Sequence, residues 1–240
     1  DFFLVYYLSH CDILYIMNEH YIHRWLADKI RDAAEFAPVI VLSGARQTGK
    51  STLLKNEDPF KNWHYISLDD LDVLALADKK PEEILDISKN IIIDEAQKSP
   101  SLLHAVKKEV DKDRTRRIVL SGSANLLLMK KVSESLAGRA IYFNLMPFAH
   151  RELLENKSEK WFSEFTDSGI LTLSSKDKQI SGHTEDNMLS LLFRGFLPPA
   201  VLLKKKEQIS MWWNSYIKTY LERDLRDLAG ISNLPDFRRI

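Results

Sequence analysis

Eight residues, Gly44-Ala45-Arg46-Gln47-Thr48-Gly49-Lys50-Ser51, have the types and spacing to hold a polyphosphate. They match the pattern G-x-x-x-x-G-K-[ST] at every fixed position. Glycines admit backbone angles that a side chain forbids, so successive N–H groups can curl around an anion. Lys50 is then placed to reach the terminal phosphates, and the Ser51 hydroxyl to ligate Mg²⁺. A second group lies 44 residues beyond Lys50. There the β-branched run Asn90-Ile91-Ile92-Ile93 ends in Asp94-Glu95, two carboxylates at a strand end. An Asp in that place can hold Mg²⁺ together with the loop hydroxyl, and the adjacent Glu can polarise an attacking water.

A third group follows the next apolar run. Ser121, Ser123 and Asn125 supply polar side chains at the end of Arg117-Ile118-Val119-Leu120. If that strand lies between those carrying the loop and Asp94, one of these residues can meet the water or a phosphate. Ser123 is preferred to Ser121, although Ser-Gly-Ser is also ordinary turn chemistry. Arg139 stands alone before the next strand, where a surface role and a catalytic role are both open.

Positioning these groups requires strands that end where the motifs begin. Val39-Ile40-Val41-Leu42 precedes the loop, and a helix is expected to begin at about Gly49 and run to Asn56. Trp63–Leu68, Asn90–Glu95, Arg117–Ser121 and Ala140–Leu145 read as further strands. Unbroken β-branched runs of this kind suit parallel strands buried on both faces. Helices are predicted over Tyr21–Glu35, Leu71–Ala77, Pro81–Ile87, Leu102–Val110, after Gly122-Ser123-Ala124-Asn125 through about Leu136, and over Met188–Phe193. A long last helix, Glu207–Ala229, carries the stripe Ile209, Trp212, Trp213, Tyr216, Ile217, Tyr220, Leu221, Leu225 and Leu228, which reads as core, and a Glu222–Arg226 pair on its other face.

Composition bounds the function. The chain has 240 residues with 34 Lys+Arg against 34 Asp+Glu, so it has no global basic field to mark a nucleic-acid coat. A single cysteine, Cys11, excludes an internal disulfide framework and suits a reducing cytoplasm. His20 and His23 lack a second ligand pair, so no zinc site is expected. No apolar stretch is long enough to span a bilayer. Residues 1–16 are expected to be non-native or a poorly placed flank, because Met17 makes a better start. The polar stretch Asn156–Asn187 reads as a surface insertion, and its Asn156-Lys157-Ser158-Glu159 is a false match to a guanine-reading motif.

Gly-Ala-Arg-Gln-Thr-Gly-Lys-Ser-Thr, Ile-Ile-Asp-Glu-Ala-Gln, Leu-Ser-Gly-Ser-Ala-Asn and Leu-Ala-Gly-Arg, in this order, resemble the AAA+ superfamily. More narrowly, the chain resembles prokaryotic AAA-type ATPases that carry an uncharacterised domain after the core. Phe193-Arg194-Gly195-Phe196-Leu197-Pro198 and Tyr216–Leu225 are similar to that family's downstream signature, with Phe196 where the family carries a second glycine.

The resemblance implies an α/β fold, a P-loop NTPase three-layer sandwich. Its five parallel strands take the order 5-1-4-3-2 and a helical lid region follows. It implies an ATPase core over 17–148, an insertion and lid over 149–205, and the start of a truncated helical domain over 206–240. Gly44, Ala45, Arg46, Gln47, Thr48, Gly49, Lys50, Ser51 and Thr52 would bind ATP, and Ser51 and Asp94 would hold Mg²⁺. Glu95 would be the base, Ser123 the sensor and Arg139 a finger for a neighbouring subunit of a homo-oligomer.

The expected function is an Mg²⁺-dependent ATPase switch that couples nucleotide state to an unknown protein partner, with no membrane role and no support for nucleic acid. A P-loop small-molecule kinase and a non-hydrolysing nucleotide-held scaffold are the alternatives. Turnover of ATP without an added acceptor separates them.

Overall fold

A computed structural model of the chain describes residues 21–123, 136–153 and 185–221. The expected flank 1–16, Asn125 with the helix expected to follow it, most of the insertion, and Glu222–Ala229 lie outside them. The described residues fall into two compact units, one holding residues 26–146 with 211 onward, the other residues up to 25 with 147–210.

The first unit is built on a sheet of β1 (Val39–Ser43), β2 (His64–Ser67), β3 (Asn90–Asp94), β4 (Arg117–Ser121) and β5 (Ala140–Asn144). All neighbours are parallel and the order is β2-β3-β4-β1-β5, as the resemblance implies. Alternate residues of the strands feed two separate cores, since side chains along a strand point to opposite faces. Val39, Val41, Ile91, Ile93, Ile118 and Leu120 pack on one face with Ala77, Leu85, Leu102 and Val106. Those partners come from α3 (Leu71–Lys79), α4 (Pro81–Leu85) and α5 (Pro100–Lys112). Ile40, Leu42, Ile92 and Val119 pack on the other face with Ala27, Ile30, Leu53 and Phe60. Ala27 and Ile30 belong to α1 (Leu26–Phe36), and Leu53 to α2 (Lys50–Asn56). Covered on both sides, β1 is buried at all five positions, four of them apolar and the last Ser43, whose hydroxyl donates to the Phe143 carbonyl at 3.1 Å.

Local chemistry sets the helix ends. The Asp70 side chain caps α3 by accepting from the N–H groups of Asp72 and Val73. Pro81 and Pro100 occupy first-turn positions, where a missing N–H costs nothing. The Arg117 guanidinium donates to the carbonyls of Ala34 (2.8 Å) and Glu35 (2.9 Å) near the end of α1. That arrangement ties β4 to the last turn of the helix and satisfies carbonyls left open there.

In the second unit, a buried ion pair joins residues distant in sequence. Glu152, in α6 (His150–Leu153), accepts from Arg24 Nε at 3.3 Å and from the N–H groups of Trp25 and Ala149 at 2.8 Å each. The Arg24 guanidinium also lies 4.5 Å from the centre of the Phe148 ring. α7 (Glu185–Arg194) ends at Gly195, whose φ of 77° is the left-handed conformation that closes a helix. α8 (Pro198–Val201) follows.

Two expected elements differ. The predicted helix Tyr21–Glu35 begins only at Leu26, because Arg24 and the Trp25 N–H are committed to Glu152. The last predicted helix divides into α9 (Lys206–Tyr216) and a wider turn over Ile217–Leu221. Its stripe is not core throughout: Ile209 is buried, but Ile217 is exposed. The aromatics pack on one another instead, with Trp212 stacked on Tyr216 at 5.2 Å. No helix among the described residues is long and apolar enough to cross a membrane.

Candidate functional site

All three motif groups that end strands gather at the C-terminal edge of the sheet. β3, β4 and β1 are neighbours, so Asp94, Ser121 and Ser43 end adjacent strands, with Ser121 level with Leu42 and Ser43 one residue further along. This is the edge at which parallel α/β sheets bind ligands.

The loop between β1 and α2 is folded by three left-handed or unusual backbones, Gly44 (φ 156°), Gln47 (φ 63°) and Gly49 (φ 93°). Gly44 must be glycine, since a Cβ there would lie 2.5 Å from the Leu145 carbonyl oxygen. Thr48 is wholly buried, and its hydroxyl donates to the Ala45 carbonyl at 2.9 Å, closing the loop on itself. The Lys50 ammonium donates to the carbonyls of Gly44 (3.0 Å) and Ala45 (2.9 Å). Burial lowers the pKa of Lys50, and the nearby charges of Glu95 and Asp94 oppose that shift. Thr52 lies half-buried one position further along α2, where its carbonyl accepts from Asn56. Arg46 contributes a carbonyl that receives the Tyr216 hydroxyl at 3.2 Å, bringing the end of α9 to the loop.

Asp94 is the centre of the arrangement. One carboxylate oxygen accepts the Ser121 hydroxyl at 2.6 Å and the Glu95 N–H at 3.1 Å. The other accepts the Ser51 hydroxyl at 2.6 Å and the hydroxyl of Tyr65. Burial alone would raise the pKa of Asp94, but these donors more than offset it and hold the carboxyl below its usual range. The same contact works in reverse on Tyr65, whose phenol is pushed well up by burial and by the Asp94 charge. Ser51 and Asp94 thus present hard oxygen ligands side by side, the donor chemistry that Mg²⁺ takes. Among the described residues there is no cluster of three or more His, Cys, Asp or Glu to build an all-protein metal cage.

Glu95 has a φ of 55°, a left-handed backbone that is rare for a side chain of this size. Burial raises its pKa, and the neighbouring carboxylates of Asp94 and Asp69 raise it further. Its carboxylate accepts the side-chain amide of Gln97, which also donates to Ser123 Oγ at 3.2 Å. The two serines are therefore distinguished: Ser121 holds Asp94, and Ser123 stands beside the group that holds Glu95.

Arg139 is not brought to this cluster within its own chain. It precedes β5, whose first residue pairs with Val39, so it lies at the opposite end of the parallel strands. There its guanidinium forks onto Asp111 of α5, at 2.5 and 2.9 Å. Three contributors escaped the reading of the sequence: Tyr65, Gln97 and Gly122. Tyr65 required knowing that β2 borders β3. Gln97 lay inside the quoted Asp-Glu-Ala-Gln, but only the left-handed turn at Glu95 reveals where it points.

Residues 37–154 match a family model described as an AAA domain, and residues 185–240 match one described as a domain of unknown function. Two curated relatives are the uncharacterized proteins Mb2031c of Mycobacterium bovis and Rv2008c of Mycobacterium tuberculosis. Each is 30% identical over 207 residues, which is 85% of this chain and 40% of the relative. The chain thus spans about two fifths of the relatives it matches. Among solved structures, it is similar to the Walker-type ATPase PABY2304 of Pyrococcus abyssi at 17% identity and a TM-score of 0.49, over 92% of this chain and 77% of that one.

Proposed function

Since the chain belongs, through residues 37–154, to the P-loop ATPases of the AAA type, we propose that it hydrolyses ATP with Mg²⁺ and couples its nucleotide state to a protein partner. The observation that carries this reading is the 2.6 Å contact between Ser51 and Asp94. It joins the phosphate loop to the end of β3 in a single oxygen-lined site. In that site Gly44 to Thr52 wrap the phosphates with backbone N–H groups, and Lys50 exchanges the loop carbonyls for phosphate oxygens. Ser51 and Asp94 hold Mg²⁺, which when bound neutralises charge on the phosphate oxygens. Glu95 accepts a proton from the water that attacks the terminal phosphorus, a role that suits a carboxylate whose pKa is raised. Ser123 donates to a terminal phosphate oxygen.

Arg139 acts on the site of a neighbouring copy. Its place at the far end of the strands suits a group offered outward, once it leaves Asp111 for a phosphate. The Tyr216 contact with the Arg46 carbonyl supports the coupling, because a loop that reshapes around phosphates moves the acceptor of a residue in the 185–240 segment.

The test is calorimetric titration of ATP into Lys50→Ala. Loss of the only lysine in the loop should weaken binding ~100-fold or more, the usual scale for a charge-assisted contact plus the cost of unpaired phosphates. Unchanged affinity would put the nucleotide elsewhere.

A further inference from the structure

We propose that Gln97 is a positioning residue that holds Glu95 and Ser123 to one another, seated on the bare backbone of Gly122. The inference deepens the hydrolysis reading and rests on it for the roles of Glu95 and Ser123. The contacts themselves do not.

One nitrogen makes both links. Gln97 Nε2 donates one hydrogen to Glu95 Oε2 and the other to Ser123 Oγ, 3.2 Å away. The amide has no other workable orientation, because turning it over would set its oxygen against the Glu95 carboxylate. Each link fixes what its recipient has left to offer. With Oε2 occupied, Glu95 keeps Oε1 as the acceptor for a proton of water. With its oxygen accepting from Gln97, Ser123 keeps its own O–H to donate, which is what a phosphate oxygen requires. A single amide thus sets a base and a donor, on two neighbouring strand ends, to complementary tasks.

Three further features fit a placement the fold has to enforce. The left-handed backbone at Glu95 reverses the chain, so the short turn Ala96–Lys98 carries Gln97 back beneath the carboxylate two residues before it. Gln97 Oε1 is buried and has no hydrogen-bond partner, a cost that ordinary packing avoids. That oxygen rests where residue 122 has no side chain: a Cβ on Gly122 would fall 2.0 Å from it. Glycine at 122, between Ser121 on Asp94 and Ser123 on Gln97, lets the end of β4 meet the Asp94 carboxylate directly and the Glu95 carboxylate through Gln97.

Two measurements test the proposal. In steady-state kinetics, Gln97→Ala should lower kcat ~10–100-fold, the scale of misplacing a reacting group by about an ångström. KM for ATP should stay within ~2-fold, since no binding contact is removed. Gly122→Ala should reproduce that split without altering Gln97 itself, and because the atom displaced is the end of a flexible side chain, its far-ultraviolet spectrum should match the parent. Wild-type kcat in both variants, while Glu95→Gln abolishes turnover, overturns the role of Gln97 and leaves the hydrolysis reading standing.

The second measurement does not need turnover. The chain has four glutamines, Gln47, Gln97, Gln179 and Gln208, so side-chain amide spectra of ¹⁵N-glutamine-labelled protein are readily assigned by loss of one pair in Gln97→Ala. Glu95→Ala should shift one proton of the Gln97 pair, Ser123→Ala the other, and Gly122→Ala both. A pair indifferent to Glu95→Ala and Ser123→Ala overturns the proposal. If Glu95→Gln keeps its turnover, the hydrolysis reading fails, and these spectra alone decide whether Gln97 bridges the two side chains.

Discussion

Replacing Gly44 with alanine isolates what fixes the phosphate loop to the sheet. The added Cβ would lie 2.5 Å from the Leu145 carbonyl oxygen and 3.1 Å from Thr48 Oγ1. Leu145 cannot simply retreat, because its N–H donates to the Ser43 carbonyl at 2.8 Å and so belongs to the sheet edge. Opening that contact to ordinary separation moves the loop by roughly an ångström, an overpacking cost of ~1–3 kcal/mol. The φ of 156° adds a backbone cost of ~1–3 kcal/mol. Together they predict a loss of ~2–6 kcal/mol, or ~4–24 °C in Tm at the usual ~2–4 °C per kcal/mol for a chain of this size.

Gly138 is the control. Its φ of 74° is also left-handed, but a Cβ there meets nothing within 4 Å. Gly138→Ala should therefore pay only the backbone cost, ~1–2 kcal/mol. Urea unfolding of both variants measures the difference, and ATP calorimetry should find weakened binding in Gly44→Ala alone. Equal destabilisation of the two would refute the argument that the Leu145 carbonyl dictates glycine at 44.

Glu152→Ala strips a buried guanidinium of its carboxylate and two N–H groups of their acceptor, and should cost ~3–5 kcal/mol. The double replacement Arg24→Met with Glu152→Leu should recover part of that in thermal melts; recovery of nothing would mean the N–H contacts, not the charge, carry the effect. Arg139→Ala should lower turnover ~10³-fold or more if the guanidinium serves a neighbour's phosphates. Mixed with Lys50→Ala, which keeps the arginine, it should regain activity that neither variant has alone. Failure to regain it when the subunits exchange would leave Arg139 as the partner of Asp111 only.

Much of this architecture was legible because its signals are local. The β-branched runs at Val39, Ile91 and Ile118 announce strands with no polar face, and each motif sits where such a run stops. Phosphate-loop chemistry reads directly from spacing because it is largely backbone chemistry, fixed by two glycines. What was not legible depends on long-range contact. The late start of α1 is set by Glu152, more than 120 residues further along, which takes the Trp25 N–H before the helix can. The stripe on α9 has the periodicity of a core face, yet periodicity cannot tell a face covered by other elements from aromatics that stack mainly on each other. Tyr65 sits on β2, and only strand order tells that its hydroxyl can reach Asp94. Ser121 and Ser123, two residues apart, would share a face if the strand continued; they differ because β4 ends at Ser121 and Ser123 lies beyond it, where Gln97 reaches it.

Whether Glu95 is the base for hydrolysis is decided by one variant measured two ways. Glu95→Gln keeps the size and the backbone of residue 95 and removes only the ability to take a proton. Single-turnover hydrolysis and MgATP binding should be followed on the same preparation. Glu95→Gln should bind MgATP like the parent and hydrolyse it at least ~10²-fold more slowly, the scale expected for losing a general base. Hydrolysis at a near-parent rate in that variant would contradict that role for Glu95.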